Sequence, residues 1–170
     1  MTTAWEPHPE RQSWDDYFLD LARAASTRAT CSRRKHGAVI ALDRRIVSTG
    51  YNGAPSGFPH CEDGACPRAA SDAKQGHDYD DCTAIHAEAN ALLFSSPVER
   101  QGATLYCTGA PCFGCAKLIA NSGIAEVVAS GGRYDGWSEV RDFLRRCEVR
   151  VRLLDGLEGV PVLDLRSAAS

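Results

Sequence analysis

Two short segments, His86-Ala-Glu88 and Pro111-Cys-Phe-Gly-Cys115, constrain this chain more than any other feature. Residues three apart share one face of a helix, and Pro111 stands where a first helical turn begins. The positive end of a helix favours the thiolates that metal binding needs. One imidazole and two thiolates make three of the four ligands of tetrahedral zinc, and a catalytic site leaves the fourth position to water. His86, Cys112 and Cys115 are therefore the expected ligands of one catalytic Zn2+. Glu88 lies two residues from His86, off that face, so it is expected to be the acid/base that handles the protons of water rather than a ligand. Each segment opens an expected helix after a loop or a strand end, and the fold has to bring the two openings together.

The surrounding pattern supplies the scaffold. Ser13 with Asp16 is a helix-start signal, and Trp14, Tyr17, Phe18, Leu21, Ala24 and Ala25 repeat at helical spacing, predicting a helix from 14 to about 28. Residues 37–42 and 46–51 read as a hairpin turning at Asp43-Arg-Arg45. Helices follow over 86–94, 112–121 and 137–146, with Asn121-Ser-Gly123 closing the second of these. Strands follow over 103–107, 124–129 and 149–154. One helix, a hairpin and three helix–strand alternations predict a three-layer α/β/α sandwich around a mixed five-stranded sheet. The whole chain, 1–170, reads as a single domain with its core over about 14–155. An insertion over about 53–82 shows no clear periodicity, and a loop that long inside a small domain is usually functional or tied down.

A formal net charge of −3 offers no global attraction for nucleic acid, so no stable nucleic-acid partner is expected. No apolar run reaches the ~20 residues that cross a bilayer, and Glu6, Glu10 and two prolines stand where a signal peptide needs an apolar stretch. Those features predict a cytoplasmic protein with no membrane association. In a reducing compartment, eight cysteines point to metal ligation more than to disulfides.

Residues 86–88 and 111–115 resemble the H-x-E and P-C-x-x-C signature of the zinc nucleobase deaminases. The resemblance narrows with Cys31-Ser-Arg-Arg-Lys-His-Gly37-Ala-Val-Ile40, Tyr51-Asn52-Gly53-Ala-Pro55-Ser-Gly57, His86-Ala-Glu-Ala-Asn90-Ala91 and Pro111-Cys-Phe-Gly-Cys-Ala-Lys117-Leu-Ile119. Together these are similar to the deoxycytidylate deaminase family, from about Ser26 to Trp137. The resemblance implies a cytidine-deaminase-like fold and zinc-dependent hydrolysis of deoxycytidylate to deoxyuridylate and ammonia. The alternative is a modified cytosine nucleotide, a nucleoside or another small amino-heterocycle, a choice raised by His36 and Ala110, where relatives commonly carry other residues. It further implies that Asn52 and Tyr134 contact a small-molecule nucleotide and that Arg33, Arg34 and Lys35 are candidates for its phosphate. A second, structural Zn2+ pinning the insertion is implied at Cys31, Cys61, His77 and Cys82, with Cys66 as the bystander, Cys61 and Cys66 being interchangeable. A homo-oligomer, hexamer or dimer, is implied as well.

Overall fold

The computed structural model describes residues 11–74, 79–131 and 134–154. The element order is α1 (Trp14–Ser26), β1 (Gly37–Leu42), β2 (Arg45–Tyr51), α2 (Ala87–Leu93), β3 (Thr104–Cys107), α3 (Phe113–Ala120), β4 (Glu126–Ala129), α4 (Trp137–Arg146) and β5 (Arg150–Leu153). Single turns of 3-10 helix at Cys61–Asp63 and Tyr79–Asp81 interrupt the long insertion.

Local chemistry sets the boundaries. The Ser13 hydroxyl accepts the Asp16 N–H at 3.1 Å and starts α1. The helix stops two residues short of the expected end because the Ser26 and Thr27 hydroxyls bond back to the Arg23 and Ala24 carbonyls at 2.6 and 2.7 Å. The hairpin turn is two residues, not three. Asp43 and Arg44 both adopt left-handed backbone, φ 48° and 62°, the geometry that matches the twist of paired strands. Arg45 is then already in β2.

The sheet runs in the order β2-β1-β3-β4-β5. β1 pairs antiparallel with β2 and β3, whereas β3, β4 and β5 run parallel. Strand alternation sorts side chains to two faces. Val39, Ala41, Tyr106 and Val128 meet Phe18, Leu19 and Ala22 of α1. Ala38, Ile40, Leu105, Cys107 and Val127 meet α2, α3 and α4 through Ala87, Ala91, Ile119 and Leu144. The expected sandwich, one helix on one side and three on the other, is the fold of this chain. The open side of α1 is stapled across the sheet. Asp15 pairs with Arg152 at 2.5 Å and accepts the Tyr106 hydroxyl at 3.2 Å, while Arg152 also reaches Glu126 at 2.9 Å. Arg152 is the first cause that holds the Asp15 carboxyl below the usual range.

The approach of α2 to the hairpin carries His86 and Glu88 to their places. Gly50 lies against the α2 backbone, and a Cβ there would stand 2.1 Å from the Ala87 carbonyl oxygen and 2.5 Å from the Ala91 nitrogen. The Ser48 hydroxyl locks the same contact by donating to the Ala91 carbonyl at 2.7 Å. Both clashing atoms are helix backbone and cannot rotate away. Gly50→Ala is therefore expected to cost about 3 kcal/mol, the upper end for overpacking. Urea denaturation checks this: the midpoint should fall with the slope unchanged, and a midpoint equal to that of wild type would show that α2 can shift freely.

Candidate metal centre and nucleotide cavity

His86 and Cys112 are the N-cap residues of α2 and α3, each with extended backbone just before its helix begins. The start of α2 is tied to the end of β2 by reciprocal bonds between Gly53 and Ile85, 2.9 and 3.2 Å, and by Asn90, which donates to the Tyr51 carbonyl at 2.7 Å. Cys112 Sγ accepts the Cys115 N–H at 3.5 Å, so one of the free amides in the first turn of α3 is spent on the sulfur. The parallel strands β3 and β4 set the root of α3, and the two helix openings face one another.

His86, Cys112 and Cys115 offer ligand atoms that all lie within 4.8 Å of one another. His86 Nδ1 stands 3.4 Å from each of the two sulfurs. A tetrahedral zinc with usual bond lengths has nitrogen–sulfur edges of about 3.6 Å. Donor types and spacing therefore fit zinc without rearrangement. The hydrogen bond from the Cys115 thiol, with the His86 imidazole behind it, outweighs burial and holds Cys112 at about 4, a ready thiolate. The same hydrogen bond and burial push Cys115 well above the ordinary thiol value. Glu88 is buried, 7% exposed, and lines the same cavity. Burial raises its carboxyl above the usual range.

The cavity holds about 310 Å³. Asn52 and Tyr134 both line it, although their polar groups already have partners. Asn52 Oδ1 accepts the His36 N–H at 2.7 Å, and its Nδ2 donates to the Arg34 carbonyl at 2.9 Å. Asn52 thus fixes the segment entering β1 as well as facing the cavity. The Tyr134 hydroxyl donates to the Pro111 carbonyl at 2.8 Å, leaving its oxygen free to accept. The three basic candidates separate. Arg33 is spent on the carbonyls of Arg68, Ser71 and Ala73. Lys35 pairs with Glu62 at 3.3 Å. Arg34 lines the cavity and has no side-chain hydrogen bond or ion pair among the described residues.

The insertion supplies residues that the sequence did not single out. Tyr79 meets the His86 ring edge-on at 5.0 Å, and the Arg68 guanidinium lies 4.6 Å from the Tyr79 centroid. Arg68 is buried, 8% exposed, an uncommon state for a cation. No periodic signal marks either residue.

The cysteines expected at a second metal are only partly gathered. His77 lies outside the described residues. Cys66, read as the bystander, sits 4.0 Å from Cys82 and is 2% exposed. Burial raises the Cys66 thiol, but the N–H groups of Thr83 and Ala69 outweigh it and bring the group to about 7. Cys61 accepts or donates a bond with the Ser32 hydroxyl at 3.2 Å. Cys82 also lines the main cavity. Among the described residues, only His86, Cys112 and Cys115 form a three-ligand cluster.

Comparison with known proteins agrees with this geometry. Residues 12–130 match the family described as the cytidine and deoxycytidylate deaminase zinc-binding region. The chain is 51% identical over 123 residues to the deoxycytidylate deaminase of Mycobacterium phage D29, covering 69% of this chain and 94% of that protein. It is 44% identical over 124 residues to the deoxycytidylate deaminase of Schizosaccharomyces pombe, covering 72% of this chain but only 38% of the yeast protein. The crystal structure of the dCMP deaminase from cyanophage S-TIM5 in complex with dCMP and dUMP is similar with a TM-score of 0.65 and 28% identity, over 88% of this chain and 100% of that one. Three converging ligands, a buried carboxylate beside them and a match spanning both motifs lead to one conclusion: this chain belongs to the cytidine and deoxycytidylate deaminase family, whose shared region binds zinc.

Proposed function

We propose that the protein hydrolyses deoxycytidylate with water to deoxyuridylate and ammonia. The observation that carries this reading is the meeting of His86, Cys112 and Cys115 beside buried Glu88 in one cavity of nucleotide size. His86 Nδ1 and the two sulfurs would hold the catalytic Zn2+. A zinc ion supplies Lewis acidity there, making water a nucleophile at neutral pH. Glu88 takes a proton from the water that attacks C4 of the cytosine ring. It would give that proton to ring N3, then take the second proton from the new hydroxyl on C4 and pass it to the amino group, so that the C4 carbonyl forms as the C–N bond breaks and ammonia leaves. Burial of Glu88 keeps bulk water from competing for those protons. Asn52 fixes the wall at residues 34–36, Tyr134 lines the cavity with its oxygen able to accept, and Arg34, without a side-chain partner among the described residues, is suited to the phosphate.

Deoxycytidylate is favoured over a modified nucleotide by the high identity to relatives named for that activity. The finer features rest on less. A second, structural Zn2+ would take its ligands from Cys31, Cys61, Cys66, His77 and Cys82, and the Cys66–Cys82 approach supports Cys66 as a member of that set rather than a bystander. The chain is read as one domain. Assembly as a homo-oligomer, dimer or hexamer, is supported by exposed Leu93 and Phe94 at the end of α2, Val98, and Phe113 and Leu118 on α3. Among the described residues no helix is long and apolar enough to cross a membrane.

The test is turnover of deoxycytidylate, cytidylate and deoxycytidine by zinc-loaded protein, followed by ammonia release. Deoxycytidylate should be the fastest. Arg34→Ala should raise KM for deoxycytidylate roughly tenfold, the scale of one charge-assisted hydrogen bond, and leave deoxycytidine unchanged. No turnover of deoxycytidylate would overturn the proposal.

A further inference from the structure

His36 lines the nucleotide cavity and belongs to no part of the chemistry above. It precedes β1, across from the residues that follow β3. The pairing of Ala38 with Cys107 sets this register, and the bond from the Thr108 N–H to the Gly37 carbonyl at 3.0 Å extends it. His36 and Gly109 therefore face each other. A Cβ on Gly109 would lie 2.9 Å from His36 Cε1 and 3.1 Å from Nδ1, so the imidazole occupies a notch that exists only because residue 109 has no side chain.

Thr108 Oγ1 accepts the Gly37 N–H at 3.0 Å and lies 3.4 Å from His36 Nδ1, in a contact whose direction the His36 tautomer sets. With the hydroxyl as donor to Nδ1, the ring proton of neutral His36 sits on Nε2. Burial is the first cause that holds the His36 pKa below its ordinary value, which favours the neutral ring at pH 7. Nε2 has no hydrogen-bond partner among the described residues, although the residue is largely enclosed.

We infer that His36 is a specificity-determining residue: its imidazole, set in one tautomer by Thr108 and seated in the Gly109 notch, presents an Nε2–H donor to a carbonyl or phosphate oxygen of the bound nucleotide. This rests on the cavity being the nucleotide site. A rigid donor in a half-enclosed pocket discriminates strongly, because a ligand lacking the acceptor leaves that donor unpaired.

The experiment uses the full-length, zinc-loaded protein with His36→Val, His36→Gln and Gly109→Ala, assayed on deoxycytidylate, its 2-thio analogue and deoxycytidine. His36→Val should lower kcat/KM for deoxycytidylate on the order of tenfold. His36→Gln, which keeps an N–H donor, should recover most of this. Gly109→Ala should reproduce the loss by displacing the ring, and the double variant Gly109→Ala with His36→Val should be no worse than His36→Val alone. Loss confined to substrates with the 2-oxo group identifies the base carbonyl as the acceptor, and loss confined to phosphorylated substrates identifies the phosphate. Long-range 1H–15N spectra should show His36 protonated at Nε2 and bare at Nδ1, a pattern that Thr108→Val abolishes. A proton on Nδ1 in wild type, an unchanged kcat/KM in His36→Val, or an equal loss on all three substrates overturns the inference alone. Wild-type protein inactive on every cytosine nucleotide overturns the reading of the cavity and this inference with it.

Discussion

Glu88→Gln is expected to lower kcat for deoxycytidylate by about 10²–10⁴-fold, the usual range for loss of a positioned acid/base, while the protein keeps its zinc. The carboxylate and the amide are nearly the same size, so the cavity wall is preserved. The ligand cluster of His86, Cys112 and Cys115 does not include Glu88, and its donor atoms stay within their 4.8 Å span without it. What the amide lacks is the ability to take a proton from water and hand it on. The variant should also fold at least as stably as wild type, because a carboxyl group that is 7% exposed is replaced by a neutral group. Three measurements on one preparation decide the matter: kcat, zinc content and melting temperature. A variant that loses zinc together with activity would make Glu88 a ligand. A variant with full activity would remove Glu88 from the chemistry altogether.

The second large effect is expected at Cys112. Cys112→Ser should remove one zinc per chain relative to wild type and abolish turnover. The sulfur of Cys112 is 3.4 Å from His86 Nδ1, and its thiol is lowered to about 4, which favours the thiolate that a metal takes. A serine hydroxyl at the same place does not ionise near neutral pH and leaves only two good ligands. Stability should fall as well, since an ion bound only by the folded state contributes about 4 kcal/mol when its free concentration is a thousand times Kd. Metal analysis reads the first effect, and thermal melts with and without a chelator read the second. Equal zinc content in variant and wild type would show that the catalytic ion is held elsewhere, with the insertion cysteines as the next candidates.

Much of this was legible along the chain. The short apolar run at residues 37–42 places β1, and helical spacing from Trp14 onward places α1. The ligand residues were legible because a C-x-x-C pair at a helix start is a local arrangement, complete within one turn. Segment ends were less so. α1 stops at Ser26 rather than near 28, and the hairpin turn is Asp43-Arg44, because each depends on side-chain hydroxyls or on left-handed backbone that periodicity does not register. The insertion was the least legible. Its contacts, Tyr79 on His86, Arg68 on Tyr79 and Cys66 against Cys82, join residues without regular spacing.

The sequence by itself determined the layers of the fold and which residues are the candidates for metal binding and proton transfer. Both are written in short-range pattern, where backbone periodicity and residue type suffice. Only the tertiary structure decided which of Arg33, Arg34 and Lys35 is free to face the cavity, that Asn52 holds the backbone at residues 34–36, and that His36 lies in the notch of Gly109. Those outcomes turn on which carbonyls, carboxylates and hydroxyls the folded chain brings within about 3 Å of each side chain. Such partners come from strands and loops many residues apart, brought together by sheet register and by helix packing.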